Sequence, residues 1–278
     1  MIQTPDSDLL GKKYSSLISY LKSLKSVVLA YSGGVDSTFL LMALSEAQIP
    51  ALAVTAKSPS MPLDDYDRCI SMTMKYKVSH KIIETDEMAD ERYVSNTPER
   101  CFYCKSELFK KLTTLAEAGG YDCVIDGSNS DDVTDYRPGF KAKECFNIKS
   151  PLIETGLRKA DIRAISQHFG LSTWDMPSSP CLASRLPYGE RVTEDSLRMV
   201  RDAESVLKAL GFKELRVRKH GDMARIELPD SDIEKCAGAE MRWRVVEELR
   251  ALGFLYVSCD LEGYVSGKLN RALEGGRQ

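Results

Sequence analysis

The sequence predicts an α/β protein whose core is a doubly wound parallel sheet, followed by a smaller α+β domain. Apolar runs typical of buried strands alternate with helical patterns up to about residue 170. Two loops rich in glycine and small residues follow two of those strands, where ligands of such sheets bind. The chain has 278 residues, 43% of them hydrophobic, which is enough for one large domain or two of ordinary size.

The first elements are predicted in the order α-β-α-β-α-β. An amphipathic helix is expected over residues 8–25, followed by a buried strand at 26–31 and the helix "STFLLMALSEA". Strands at 51–56 and 80–85 enclose the helix "LDDYDRCISMTMKYK", which begins with acidic residues. This order matches one half of a doubly wound sheet.

Further strand and helix signals extend the sheet. The stretch "CFYCKSELFKKLTTLAEAGG" predicts a helix that ends at a double glycine, and "DCVIDGSNSDD" predicts a strand that runs into a loop. In "NIKSPLIETGLRKADIRAISQHFGL", a short extended segment comes before another helix, which ends near Gly170. Strands that alternate with helices in this way are typical of parallel sheets.

The pattern changes at about residue 171, where the proline-rich stretch "STWDMPSSPCLASRLPYGERVT" shows little periodicity. After it we expect a helix over 193–210, the strands "ELRVRKH" and "MARIEL", a helix over 239–252 and the strand "FLYVSCDL". We therefore predict a first domain over 1–188, whose last part, 171–188, is a linker, and a small domain over 189–278.

Charge and cysteine content narrow the class of protein. The formal net charge of −3 gives no overall attraction to nucleic acid or anionic membrane. Residues 1–25 lack the apolar core of a signal peptide, and no stretch approaches the roughly 18 apolar residues of a membrane span. We expect a cytoplasmic protein, whose eight cysteines are thiols, metal ligands or catalytic groups. Five of them fall in ordinary helix or strand patterns: Cys69, Cys123, Cys145, Cys236 and Cys259.

The loop "SGGVDS" at 32–37 is the first candidate ligand site. It follows a strand and opens a helix, where free backbone N–H groups and the helix dipole favour an anion. Its glycines let a phosphate approach the backbone, and Ser32 and Ser37 add hydroxyl donors. The spacing and lysine of the Walker P-loop are absent. Taken alone, the string also fits a plain strand-to-helix turn.

"SGGVDS" resembles the PP-loop of the N-type ATP pyrophosphatases, and "DGSN" at 126–129 resembles their second nucleotide-binding loop. The resemblance implies that ATP releases pyrophosphate while its AMP is attached to a substrate oxygen, and that strand 51–56 lies against adenine. It implies a set of ATP-binding residues: Ala30, Ser32, Gly33, Gly34, Asp36, Ser37, Thr55, Ala56, Gly127 and Asn129.

Three carboxylates are candidate ligands of the Mg²⁺ that accompanies ATP. They are Asp36 in the first loop and Asp131 and Asp132 after the second. For Asp131 and Asp132, solvated helix caps are an open alternative.

Three cysteines form a candidate metal site. Cys101 and Cys104 share one face of a predicted helix, and Cys181 lies in the linker. Three converging thiolates could hold three irons of a [4Fe–4S] cluster and leave the fourth iron open. No histidine near these segments completes a zinc site. On spacing alone, the pair also fits one buried and one exposed thiol.

Three further stretches accompany these loops: "RCFYCK", "PLIETGLRKADIR" and "PCLASRLPYGERVT". Together, the loops and these stretches resemble the LarE family of pyridinium-3,5-bisthiocarboxylic acid mononucleotide synthases. The resemblance extends over about residues 10–270. The resemblance implies an ATP-dependent sulfur transferase of nickel-pincer cofactor biosynthesis, which adenylates the carboxylates of a pyridinium mononucleotide. It also suggests a homo-oligomer.

The resemblance leaves the sulfur source open. In members with one cysteine, the residue at the position of Cys181 forms a thioester and loses its sulfur, leaving dehydroalanine. Cys101 and Cys104 make this chain similar to a branch in which three cysteines hold a [4Fe–4S] cluster whose extra sulfide is the donor. Cys181 is thus either consumed or only an iron ligand.

The small domain contains a predicted hairpin. A Gly221-Asp222 turn would pair Arg218 with Arg225 and Arg216 with Glu227 on one strand face. Like charges directly opposite destabilise a hairpin unless an anion lies between them. A nucleotide phosphate bound by the three arginines would supply that anion, and a solvated face is the alternative.

The family resemblance favours the substrate phosphate at this hairpin. It implies a catalytic set of Cys181, Arg216 and Glu204, in which Glu204 is a catalytic or orienting carboxylate on the preceding helix. His220, Trp174 and Tyr188 are expected at the surface or in linker packing.

Two other functions fit the same motifs. Some tRNA 2-thiolation enzymes also join a PP-loop to a three-cysteine cluster, but residues 190–278 carry 16 basic and 17 acidic residues and offer no basic surface for RNA. A nucleotide-gated metal or sulfur carrier without turnover is the second alternative.

Overall fold

The computed structural model describes residues 8–134, 139–177, 179–265 and 267–274. They form two compact units: unit 1 is Met1–Glu87 with Cys101–Ser179, and unit 2 is Met88–Arg100 with Pro180–Gln278. The predicted boundary lay near residue 188, whereas the chain passes from unit 1 to unit 2 after Ser179. Unit 2 also takes in residues 88–100, which no sequence pattern had indicated.

Unit 1 contains a sheet of four parallel strands in the order β3-β2-β1-β4. The strands are β1 (Val27–Ala30), β2 (Ala51–Lys57), β3 (Ser79–Glu84) and β4 (Cys123–Ile125). The chain runs from β1 outwards to β3 and then returns to the other side of β1, which confirms the doubly wound parallel sheet. The topological switch point therefore lies between β1 and β4, and both glycine-containing loops leave the sheet there.

The described residues contain α-helices between and beyond these strands. In chain order they are α1 (Asp8–Ser23), α2 (Val35–Ala47), α3 (Leu63–Tyr76), α4 (Glu91–Val94), α5 (Arg100–Gly119), α6 (Gly139–Cys145), α7 (Pro151–Glu154), α8 (Lys159–His168), α9 (Glu194–Ala209), α10 (Asp230–Ala237), α11 (Ala239–Ala251) and α12 (Arg271–Glu274). Single 3₁₀ turns span Glu87–Ala89, Ser130–Thr134, Leu182–Arg185 and Lys268–Asn270.

Helices cover both faces of the unit 1 sheet because alternate strand residues point to opposite sides. One core contains Leu29 and Ile125 with residues of α1, α2 and α8. The other contains Val28 and Val124 with Phe109 of α5 and Ala142 of α6. Residues of α2 are buried on all sides of the helix, so α2 is held firmly behind the first loop.

Unit 2 contains a three-stranded sheet in the order β5-β6-β7, formed by β5 (Arg216–His220), β6 (Met223–Glu227) and β7 (Tyr256–Cys259). β5 and β6 form the predicted antiparallel hairpin, with Arg216 opposite Glu227 and Arg218 opposite Arg225. β7 lies parallel to β6, and α9, α10 and α11 contribute to the core beneath the sheet. The sequence did not indicate α10.

Residues 88–100 join unit 2 through long-range hydrogen bonds. The Asn96 side-chain amide donates to the carbonyls of Pro187 and Glu190, at 2.7 and 2.9 Å. The Arg100 guanidinium donates to the Ala183 carbonyl at 2.8 Å. These contacts hold the chain that follows Cys181. Among the described residues, no helix is long and apolar enough to cross a membrane.

Candidate functional site

The loop of residues 32–37 connects β1 to α2. Gly33 has a φ of 72°, a conformation that favours glycine, and a Cβ there would lie 2.8 Å from the Cys69 Sγ. Gly34 is the N-cap of α2, so no side chain bonds to the first backbone N–H groups of the helix. An anion is the natural partner of these N–H groups.

Two hydroxyl groups stand at this loop. The Oγ atoms of Ser32 and Ser37 lie 3.1 Å apart, and Ser37 Oγ also donates to the Gly34 carbonyl at 3.3 Å. Ser32 is exposed and Ser37 is buried. The loop therefore offers both hydroxyl and backbone donors to one ligand.

Helix α3 supports the loop from behind. Arg68 Nε donates to the Gly33 carbonyl at 2.9 Å, and the same guanidinium pairs with Asp65. Asp65 in turn accepts a hydrogen bond of 3.0 Å from Ser179 Oγ. Sequence reasoning did not select Arg68 or Asp65, because neither belongs to a recognisable motif.

Asp36 is the acidic residue of the first loop. Its Oδ2 accepts a hydrogen bond of 2.7 Å from the Lys159 ammonium, whereas its Oδ1 is buried and has no hydrogen-bond partner among the described residues. Burial raises the pKa of Asp36, and the positive charge of Lys159 opposes that rise. A buried carboxylate oxygen of this kind suits a hard cation such as Mg²⁺.

The second loop packs directly on the first. A Cβ on Gly127 would lie only 3.0 Å from the Ser37 backbone nitrogen and 3.1 Å from its Cα. Replacing this glycine by any larger residue would push the two loops apart. The short contact thus explains why a glycine stands at this position.

The polar residues after Gly127 are tied to backbone groups. Asp132 accepts a hydrogen bond of 3.0 Å from the Asn129 backbone nitrogen, and Asp131 accepts one of 2.9 Å from the Lys159 backbone nitrogen. Asn129 Oδ1 accepts from the Asp131 backbone at 2.9 Å. The two aspartates therefore make backbone contacts of the kind expected of caps, and Asp36 is the one whose buried oxygen has no partner among the described residues.

The predicted adenine-facing residues lie at the same edge of the sheet. The β1–β2 ladder ends at the pair Ala30–Val54, and β2 continues to Lys57 while pairing only with β3. Thr55 is buried, and its hydroxyl lies 2.9 Å from His80 Nε2. Ala30, Thr55 and Ala56 thus stand at the carboxyl ends of their strands, beside the first loop.

Unit 2 contains a group of arginines that we call the arginine cluster: Arg185, Arg216, Arg218 and Arg225. Arg185 and Glu204 form a buried bidentate pair, with Nε–Oε1 and Nη2–Oε2 distances of 2.8 and 3.1 Å. Glu204 also accepts from the Val217 backbone nitrogen at 3.1 Å. The carboxylate predicted as catalytic or orienting is therefore bonded to Arg185 and to β5.

Arg185 also holds the backbone at Cys181. Its Nη1 donates to the carbonyls of Pro180 and Cys181, at 2.8 and 3.3 Å. The guanidinium thereby fixes the chain on both sides of the Cys181 side chain. Sequence reasoning missed Arg185, although it lies within the quoted motif "PCLASRLPYGERVT".

Glu227 supplies the anion that the hairpin requires. Its Oε2 accepts from Arg218 at 2.8 Å and its Oε1 accepts from Arg225 at 3.1 Å. An external phosphate is therefore not needed to keep the two facing arginines together. Arg218 Nη1 also donates to the Ser184 carbonyl at 2.8 Å, next to Arg185.

Arg216 lies between the two buried ion pairs. Its guanidinium carbon is 5.1 Å from the centre of the Tyr264 ring, and it donates to the Leu215 carbonyl. Burial lowers the pKa of Arg216, and the charges of Arg185 and Arg218 lower it further. Glu204 and Glu227 are paired with three of these four guanidinium groups, and Asp260 Oδ2 also lies 3.5 Å from Arg225 Nε. Four arginines thus face three carboxylates, which leaves one positive charge for an anionic ligand.

The three predicted cluster cysteines occupy two segments. Cys101 and Cys104 are in the first turn of α5, exposed and half-buried respectively, and the half-buried Cys181 precedes the 3₁₀ turn at Leu182–Arg185. Across the described residues, no group of three or more His, Cys, Asp and Glu side chains is arranged to hold a metal ion. The three-cysteine cluster therefore stays a prediction.

The doubly wound parallel sheet, with two glycine loops at its switch point, defines an α/β protein of the PP-loop type. No protein-family model matches the chain. The chain is 37% identical over 95% of its length to the pyridinium-3,5-bisthiocarboxylic acid mononucleotide synthase of Lactiplantibacillus plantarum, 96% of which is covered. It thus belongs to the family of that synthase, the LarE family.

Two uncharacterized proteins are also similar over most of their length. One, from Synechocystis sp., is 42% identical, and the match covers 95% of this chain and 99% of that protein. The other, from Methanocaldococcus jannaschii, is 32% identical over 87% of this chain and 92% of its own.

We predict that Arg185→Met destabilises the protein by about 3–5 kcal/mol, because it leaves the Glu204 carboxylate buried without its cation. The double variant Arg185→Met/Glu204→Met should recover most of that loss, because well-packed apolar side chains can replace a buried ion pair. Chemical denaturation measures both changes. Equal losses in the single and double variants would contradict the pairing.

Proposed function

We propose that the protein is an ATP-dependent sulfur transferase. It converts the carboxylates of pyridinium-3,5-biscarboxylic acid mononucleotide to thiocarboxylates in nickel-pincer cofactor biosynthesis. The observation that carries this proposal is the loop at 32–37, an anion cradle at the switch point of the sheet in a chain 37% identical to a named synthase.

The reaction would begin at unit 1. A substrate carboxylate oxygen attacks the α-phosphorus of ATP, an O–P bond forms, and pyrophosphate leaves with the electrons of the broken P–O bond. Ser32, Ser37 and the first N–H groups of α2 would bind the phosphates. The Oδ1 of Asp36 suits an oxygen ligand of Mg²⁺, which supplies positive charge to the phosphates when bound.

Sulfur then replaces the activated oxygen. A sulfur nucleophile attacks the acyl carbon, and AMP departs with the former carboxylate oxygen. If the nucleophile is the Cys181 thiolate, the product is a thioester. Loss of the Cys181 Cα proton and cleavage of its Cβ–S bond then release the thiocarboxylate and leave dehydroalanine.

The alternative sulfur source is a cluster held by Cys101, Cys104 and Cys181. The donor set is all thiolate, which suits iron–sulfur chemistry, and a bound cluster would supply sulfide. On this route Cys181 is retained.

The substrate phosphate would bind to the arginine cluster of unit 2. Arg216, Arg218 and Arg225 provide the fork-shaped donors that recognise phosphate. Glu204 would act through Arg185, which holds the carbonyls at Cys181, as a positioning residue rather than a proton donor.

We expect pyrophosphate release only when ATP and the biscarboxylate mononucleotide are both present. A coupled pyrophosphate assay measures this, and Asp36→Asn should lower the rate at least about tenfold because the loop loses its negative ligand. Asp122→Asn, at an exposed carboxylate outside the loop, is the matched control. ATP binding without pyrophosphate release would instead favour a nucleotide-gated carrier.

Anaerobically purified protein should contain iron and sulfide, and Cys104→Ala should lose most of both. Elemental analysis and the visible absorption spectrum measure this loss. The matched control is Cys145→Ala, which removes an exposed thiol outside the three and should leave the iron content unchanged. Iron-free wild-type protein that acquires dehydroalanine at position 181 after turnover would contradict the cluster and support the sacrificial route.

A further inference from the structure

Two cysteines of unit 2 stand next to each other, although neither lies in a recognisable motif. Cys236 lies in the last turn of α10 and is 5% exposed, and Cys259 is the half-buried last residue of β7. The two thiols lie within hydrogen-bond reach, with Cys236 as the donor to Cys259. They are 23 positions apart in the sequence, so the fold brings them together.

The register of the sheet explains why the Cys259 side chain points to Cys236. Cys259 pairs with Ile226 of β6, and residues paired across neighbouring strands point to the same side of a sheet. Ile226 and Cys236 both belong to the core beneath the sheet. Val257, two positions before Cys259, also packs on this core. β7 and α10 therefore hold the two thiols at one place in that core.

The surroundings of the pair favour a bond between the two sulfurs over a metal site. Across the described part of unit 2, no group of three or more His, Cys, Asp and Glu side chains is arranged to hold a metal ion. A disulfide needs the two sulfurs alone, about 2 Å apart. Both side chains are short, so rotation about their Cα–Cβ bonds closes most of the gap between thiols already in hydrogen-bond reach.

We propose that Cys236 and Cys259 are a redox-active dithiol, which a small peroxide converts to a disulfide. The Cys259 thiolate attacks one peroxide oxygen, the O–O bond breaks, and hydroxide leaves with its electron pair. Cys236 then gives up its proton and attacks the sulfur of the Cys259 sulfenic acid, from which water departs. The two thiols lose two electrons and two protons, and hydrogen peroxide becomes two molecules of water.

Cys259 reacts first because it is the more exposed thiol and its thiolate accepts the hydrogen bond. Burial raises the pKa of both thiols, that of Cys236 to about 11. For Cys259, the negative charge of Asp260 adds to the rise and the hydrogen bond from Cys236 opposes it. Below its pKa the thiolate fraction of Cys259 increases about tenfold per pH unit, so the disulfide should form faster as the pH rises.

The dithiol borders the arginine cluster. Asp260 directly follows Cys259, and its Oδ2 lies 3.5 Å from Arg225 Nε and 2.7 Å from Lys268 Nζ. A disulfide would therefore join α10 to the end of the strand whose next residue is a partner of the cluster. The site is separate from the proposed sulfur transfer and does not depend on it.

The test treats the full chain with hydrogen peroxide, alkylates the remaining thiols and analyses the digested protein by mass spectrometry. Oxidised protein should give one pair of peptides joined through Cys236 and Cys259, lighter by about 2 Da than the two thiol peptides together. A reducing agent should return both free thiols. In a fixed short time the yield should rise about tenfold from pH 7 to pH 8.

Cys123→Ala is the matched control, because Cys123 is a half-buried thiol of β4 and its removal should leave the crosslink unchanged. Cys236→Ala should stop the reaction at the sulfenic acid of Cys259, which dimedone labels. The crosslink in wild-type protein decides the question even if that variant does not fold. Wild-type protein that keeps both thiols free, oxidises Cys259 to the sulfinic acid or joins either cysteine to a third would overturn the inference.

Discussion

The close approach of two loops at the switch point of the parallel sheet determines the architecture of unit 1. Gly127 lies so near the backbone of Ser37 that the loop after β4 packs directly against the start of α2. This contact aligns the donors of the first loop with the polar residues of the second, and Lys159 then bridges to Asp36. Residues on every side of α2 are buried, so packing holds the helix in place behind the first loop.

Unit 2 is organised by buried ion pairs. Glu204 and Glu227 each hold arginines whose remaining donors reach the chain at Cys181 and Ser184. Such pairs add little net stability, but breaking one leaves a buried charge, so they specify one geometry strongly. The same residues that position the chain at Cys181 thus also concentrate the positive charge expected at a phosphate site.

Local patterns made much of the fold predictable. The parallel sheet followed from alternating strands and helices, and the pairing of Arg216 with Glu227 followed from a two-residue turn and a period of two. Contacts between distant residues left no such pattern. Two contacts of this kind depend on tertiary packing. Residues 88–100 join unit 2, and Lys159 bonds to Asp36, which is 123 positions away in the sequence. The sequence predicts a phosphate as the anion between Arg218 and Arg225. In the structure, the carboxylate of Glu227 is that anion.

In the proposed reaction the substrate carboxylate, and not water, attacks the α-phosphate of ATP. Substrate labelled with oxygen-18 in its ring carboxylates tests this directly when the products are analysed by mass spectrometry. Adenylation places one labelled oxygen in each AMP released and none in pyrophosphate. Unlabelled AMP, with the label retained in the substrate or appearing in phosphate, would contradict the account.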